Sequence, residues 1–261
     1  DWVRALLLVV AGLALLFRPV LLSPFTWWLT AALVAARLAA DWPLPDNHIY
    51  LLGYWCLAAG LAAGARDRAV TLARSAAWLL GLAMVFAVLW KGLLSPDYLD
   101  GRFFSVAMLT DDRFADAVRL VGGLTTEQID ANREILAPLP EGAELADPPS
   151  LVAPASFRTF VVATTWGVLT VEACIAALFL WPVGRRLHAA RHALLLAFCL
   201  VTYAFAPVAG FGWLLIAMGL ATCRTEQHGW RLAYLATWFV VLLYSEIPWA
   251  AHLADWWQST G

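Results

Sequence analysis

With 261 residues, 62 % hydrophobic and only 14 % charged side chains, the chain falls well below the ~25 % charge of soluble domains, which excludes an ordinary water-soluble globule. A net charge of −2 lacks the basic footprint of a nucleic-acid binder, so no nucleic-acid partner is expected. Cys56, Cys174, Cys199 and Cys223 all fall in apolar runs without paired metal-ligand spacing and read as buried thiols, and no metal is expected.

The chain opens at Asp1 with neither an initiator methionine nor a signal-type leader, as a piece of a longer product would. Apolar runs follow at 5–17, 24–38, 47–64, 72–91, 157–182, 188–207, 210–223 and 231–249. They predict an all-α membrane bundle of about eight transmembrane or membrane-embedded helices, although several are shorter than the ~20 residues of a straight span. Trp2, Trp27, Trp28, Trp90, Trp181, Trp230 and Trp249 sit near run ends, as in an interfacial aromatic belt. Arg18, then Arg66, Arg68 and Arg74, then Arg185, Arg186 and Arg191, then Arg224 and Arg231 occupy alternate connections. The positive-inside rule assigns these to the cytoplasm, leaving 39–46, 92–156 and 207–210 on the outer, periplasmic or extracellular side of a plasma membrane.

Three regions result: a first membrane half (1–91), an acidic extramembrane segment (92–156) and a second membrane half (157–261). The middle segment holds eleven of the nineteen carboxylates and only four arginines. Asp111 or Asp112 is expected to cap a short helix through Leu120 that stops at Gly122-Gly123, and Thr125-Thr126-Glu127-Gln128 predicts a capping box for a second helix through about Leu136. Pro138, Pro140, Pro148, Pro149 and Pro154 suit an extended return to the membrane.

Lys91 is the only lysine among seventeen cationic residues, and it stands at the end of an apolar run. Lysine can shed its proton in such a place and arginine cannot, so one reading is a base with a lowered pKa; the other is a snorkelling residue at the membrane boundary. Asn47-His48-Ile49-Tyr50 opens the third run, where Asp46 or Asn47 is a natural N-cap but His48 is unexplained by helix initiation. His48 and Lys91 are expected at similar membrane depth, either as a polar pair or as two independent interfacial residues. Glu172 lies deep in the fifth run and is expected to face the bundle interior, protonated or bonded to a hydroxyl such as Thr202 or Tyr203. His188 and His192 have the i, i+4 spacing of a metal pair but lie in an arginine-rich corner better suited to lipid headgroups. Glu246-Ile247-Pro248 predicts a kink in the last helix.

These motifs, in this order, resemble the vitamin K-dependent gamma-carboxylases and their bacterial relatives, the horizontally transferred transmembrane domain proteins. Asn47-His48-Ile49-Tyr50-Leu51-Leu52-Gly53 is similar to the family's Asn-His-x-Tyr-Leu-x-Gly, and Lys91 followed by Ser95-Pro96-Asp97-Tyr98-Leu99-Asp100-Gly101 is similar to its lysine with a downstream acidic-aromatic-acidic-glycine stretch. Phe198-Cys199, where the family carries Phe-His, and Phe211 with the run to Cys223 match a later segment, so the likeness covers roughly 40–223. Such carboxylases oxidise reduced vitamin K with dioxygen and use the base so formed to deprotonate glutamate. The resemblance implies Lys91 as the initiating base with His48 beside it, and a quinone or lipid pocket near the outer leaflet drawing on Asn47, Tyr50, Glu172 and Cys199. It implies a reduced quinone as cofactor, and membrane lipids as neighbours in a bacterial inner membrane. The 261 residues do not include the soluble domain that family carboxylases carry after the membrane part, so the alternative expectation is a non-catalytic accessory subunit with partner membrane subunits.

Overall fold

A computed structural model describes residues 2–43, 46–139, 150–181, 185–205 and 210–241, and helix is the only regular structure among them. Each of the eight apolar runs is helical within these residues: α1 (Trp2–Leu16), α3 (Pro24–Ala40) after a one-turn α2 (Arg18–Leu21), α4 (Asn47–Gly64), α5 (Arg68–Leu89), and, later in the chain, α10 (Ala155–Leu180), α11 (Arg185–Phe205), α12 (Phe211–Ala221) and α13 (His228–Val241). Three stretches, Arg68–Leu94, Ala155–Leu180 and Leu187–Ala204, are long and apolar enough to cross a membrane; Trp2–Leu16 and Phe211–Ala221 are apolar but shorter. By length and composition this is a membrane protein. Its helices also expose large apolar side chains that water would disfavour, among them Leu8, Leu15, Phe25, Phe86 and Trp166. The kink expected at Glu246–Pro248 lies outside the described residues, as do Pro140, Pro148 and Pro149.

The chain divides into two compact units, one made of Asp1–Met84 with Ile175–Gly261 and the other of Val85–Cys174. In the first unit, α12 carries glycines where aromatic rings press on its backbone. A side chain at Gly212 would collide with the ring of Tyr203, and one at Gly219 with that of Tyr234, so these two positions admit tyrosines of α11 and α13 at backbone distance. The Tyr203 hydroxyl accepts the Gly212 N–H there.

The second unit continues from α5 into a π-helical turn (Trp90–Leu94), then α6 (Pro96–Leu99), α7 (Arg102–Thr110), a 3₁₀ turn (Asp112–Phe114), α8 (Ala115–Leu120) and α9 (Thr126–Leu136), before the start of α10. The capping box forms as its sequence predicts: Thr125 Oγ1 accepts the Gln128 N–H at 3.3 Å and Gln128 Oε1 accepts the Thr125 N–H at 3.0 Å. Asp111 caps the 3₁₀ turn by accepting the Arg113 N–H at 3.0 Å, and Gly123 adopts a left-handed φ of 73° after α8. Met108, Leu109, Val118, Leu124, Ile129 and Phe157 bury their side chains in a small core. The fully buried Asn132 fastens the return segment by donating to the Val152 carbonyl at 2.9 Å and accepting the Val152 N–H at 2.8 Å. Ser156 adds a bond to the Gly122 carbonyl at 2.6 Å, so the described residues of the acidic segment are folded together.

Candidate functional site

Lys91 stands inside the π-helical turn that ends the Arg68–Leu94 stretch. Such turns hold one more residue per turn than the α-helix and are common at functional sites. In this chain the turn carries the lysine and Trp90 just before the break at Pro96. The opposite wall is α10. Phe157, Val161, Thr165, Leu169 and Glu172 recur every three to four residues and are all buried, so one face of the helix leads directly to the carboxylate.

Lys91 Nζ pairs with Glu172 Oε1, joining two residues 81 positions apart within the second unit. Both side chains are largely withdrawn from solvent, 24 % and 6 % exposed. The partner expected for Glu172 was a hydroxyl such as Thr202 or Tyr203; the carboxylate is instead met by the lysine. The physical reason is charge. A buried carboxylate gains more from the one ammonium group within reach than from a neutral hydroxyl.

Tyr98 completes the site. Its ring lies under the Lys91 ammonium, with Nζ 5.3 Å from the ring centroid, an arrangement in which the π face attracts the cation. Phe103 and Phe104 hold that ring, each with its centroid 5.4 Å away. Gly101, at φ 84°, allows α7 to start close against α10; a Cβ there would stand 2.8 Å from Val161 Cγ1. Burial, reinforced by the Glu172 carboxylate, pushes the Tyr98 phenol above its usual range. Two buried oxygens of the site have no hydrogen-bond partner: Tyr98 Oη and Glu172 Oε2. Native proteins rarely leave such atoms unmet, and a polar ligand group is one way to meet them.

The other expected site residues belong to the first unit. Asp46 is the N-cap of α4 but makes no side-chain cap bond; the carbonyl accepts the Ile49 N–H at 2.9 Å. Asn47 is exposed, Tyr50 and His48 are half-buried, and the His48 ring adjoins Gly210 at the start of α12, with Cδ2 3.6 Å from where a Cβ would sit. Cys199 is fully buried in α11. No protein-family model, curated protein or solved structure matches the chain.

Tyr98 was not expected at the site, although the Ser95–Gly101 stretch that holds it stands out in the sequence. A signal was present: Ser95-Pro96-Asp97 starts a new turn so soon after Lys91 that the next aromatic has to fold back on it. The pairing of Lys91 with Glu172 also had a signal, since Lys91 is the one lysine of the chain and closes an apolar run, Glu172 is a lone carboxylate deep in another, and the two have opposite sign.

Proposed function

We propose that this is a carboxylase-like integral membrane protein of about eight membrane-embedded helices, in which Lys91 and Glu172 accept a proton from a hydroxyl-bearing, quinol-like ligand near the outer leaflet. The supporting observation is the Lys91–Glu172 pair set beside two unpartnered buried oxygens, Glu172 Oε2 and Tyr98 Oη. A pair that served only to neutralise a stray lysine would leave nothing unmet. These oxygens fit a ligand that carries both a hydroxyl donor and an oxygen acceptor.

The pair has a defined proton economy. In its resting form the ammonium of Lys91 faces the carboxylate of Glu172, and the net charge is zero. Lys91 passes a proton across the hydrogen bond to Glu172 Oε1, which leaves a neutral amine and a neutral carboxylic acid. The Nζ lone pair then takes the ligand's hydroxyl proton, and the site ends as ammonium plus carboxylic acid, balanced by the ligand's anion. Tyr98 holds the cation over its ring and offers its O–H to the anion. Arginine cannot take the place of Lys91, because it does not give up a proton. A bound hydroquinone would supply the acidic hydroxyl and the chemistry with dioxygen.

The test is oxygen-dependent oxidation of reduced vitamin K by the purified full chain in mild detergent, alongside Lys91→Arg and Glu172→Gln. Wild-type oxidation above the buffer rate, lost by at least about a hundredfold in Lys91→Arg, supports the proposal. Equal rates in wild type and Lys91→Arg would sink it. Copurification of a stable set of membrane subunits, with no oxidation, would assign the chain the accessory role instead.

A further inference from the structure

The N-terminal end of α11 and the turn between α12 and α13 form a second polar cluster, wholly within the first unit. Arg191 is half-buried, its guanidinium 5.3 Å from the centroid of Phe179, and its Nη2 is 2.8 Å from His188 Nε2. On the other side of the imidazole, Gln227 Nε2 is 3.2 Å from His188 Nδ1. The orientation of that amide is fixed, because Gln227 Oε1 accepts the Arg224 backbone N–H at 2.7 Å; turning it over would set its NH₂ against another donor.

The hydrogens then do not balance. Arginine only donates, and the amide nitrogen of Gln227 only donates, so both contacts ask His188 to accept. A neutral imidazole has one accepting nitrogen and one N–H, and an imidazolium has none to accept with. One donor more is present than the ring can take. The surplus extends further. Arg191 Nε is a further donor buried without a partner. Among the described residues no carboxylate lies within ion-pair distance of Arg191, Arg224 or Arg231. A half-buried guanidinium without an anion is a high-energy arrangement, and an oxyanion that accepts from Arg191 and from the His188 N–H removes both defects together.

We infer that Arg191, His188 and Gln227, with Arg224 alongside, bind a phosphate group. A phosphate offers several acceptor oxygens and matches the planar fork of arginine. His188 and Arg191 lie in the first turns of the Leu187–Ala204 stretch, the depth of a headgroup at a membrane boundary. Beside Gln227 the surface opens into a shallow hollow lined by Glu226, His228, Gly229, Trp230 and Ala233; Gln227 is its one member of the cluster, so the hollow gives room for the rest of a ligand whose phosphate meets Arg191 and His188 behind that side chain. The phosphate is that of an anionic lipid or a free phosphate ion, and the test separates them.

The full chain, stripped of lipid in detergent, is offered phosphatidylglycerol or inorganic phosphate and read by native mass spectrometry and thermal melting. Retained phosphatidylglycerol, lowered about tenfold in Arg191→Gln and not displaced by inorganic phosphate, assigns the lipid. Addition of inorganic phosphate that displaces phosphatidylglycerol assigns the free ion. Equal retention by wild type and Arg191→Gln, or no retention of either, overturns the site. Gln227→Glu guards against a folding defect in Arg191→Gln. A carboxylate there accepts from the His188 N–H and frees Nε2 for Arg191, so this variant should melt higher than wild type without added anion and gain less from phosphatidylglycerol. A lower melting point with an undiminished lipid shift would likewise overturn the site.

Discussion

Lys91 and Arg191 are both cations that the fold draws partly out of water beside other polar groups, and they are treated in opposite ways. Lys91 receives a carboxylate from within the chain, and what remains unmet beside it is oxygen: Glu172 Oε2 and Tyr98 Oη. Arg191 receives no carboxylate among the described residues, and what remains unmet there is nitrogen: its own Nε. Choice of side chain explains part of the contrast. Lysine can hand on a proton to a neighbouring carboxylate, whereas arginine keeps its charge and can only wait for an anion. A site that lacks both a donor for Glu172 and an acceptor for Tyr98 and a site that lacks acceptors call for different ligands, so the two clusters are not variants of one pocket.

Changes at Lys91 should break this comparison most strongly. Lys91→Arg keeps the charge and the Glu172 contact but should abolish proton uptake from a hydroquinone, a loss of about a hundredfold or more in oxidation rate. Glu172→Leu should leave the lysine unpaired in an apolar setting and cost about 3 kcal/mol, lowering the detergent melting temperature. The double variant Lys91→Met with Glu172→Leu should recover most of that loss, because both charges are gone; a double variant as unstable as Glu172→Leu alone would show that the pair is not what holds the two residues. Tyr98→Phe should leave stability unchanged or slightly raised, since it deletes an unmet buried hydroxyl, yet lower kcat and kcat/KM for hydroquinone about tenfold.

Smaller effects should leave both clusters alone. Thr125→Ala removes the N-cap of α9 and should cost about 1 kcal/mol without altering either ligand response. The Asp111 carboxyl, bonded by Arg113, is held below its ordinary range. Its stabilising contribution is therefore present above the ordinary carboxylate range and fades as pH falls through the lowered value; Asp111→Asn should flatten the acid limb of a melting-temperature profile.

The helices were legible to different degrees, for physical reasons. Thr125 and Gln128 specify the start of α9 through local hydrogen bonds, and no distant residue is needed to read it. α7 was not anticipated, because its N-cap position is Gly101 in a left-handed conformation, and the Asp100 side chain that accepts the Arg102 N–H at 3.0 Å stands one residue ahead of the usual capping position. Its buried Met108 and Leu109 acquire meaning only once the remainder of the second unit surrounds them. Lys91 was legible as an oddity of composition, and Glu172 as an expensive charge. Their union was not read, since hydroxyls such as those of Thr202 and Tyr203 offered a neutral alternative partner for the carboxylate. The His188 cluster was read for its basic character but not for its hydrogen-bond conflict, which depends on Gln227, 39 residues away.

The π-helical turn at Trp90–Leu94 ties these residues together by counting. An α-helix advances about 100° per residue, and a turn that carries one residue more behaves as the scar of an insertion. A residue gained or lost in this interval that the wide turn did not absorb would swing Pro96–Leu99 by about that angle, carrying the Tyr98 ring away from the ammonium. The interval between the lysine and its aromatic thus works as a reading frame: within any lineage that keeps both residues, substitutions across 92–95 can accumulate, while gains or losses of a single residue should be rare.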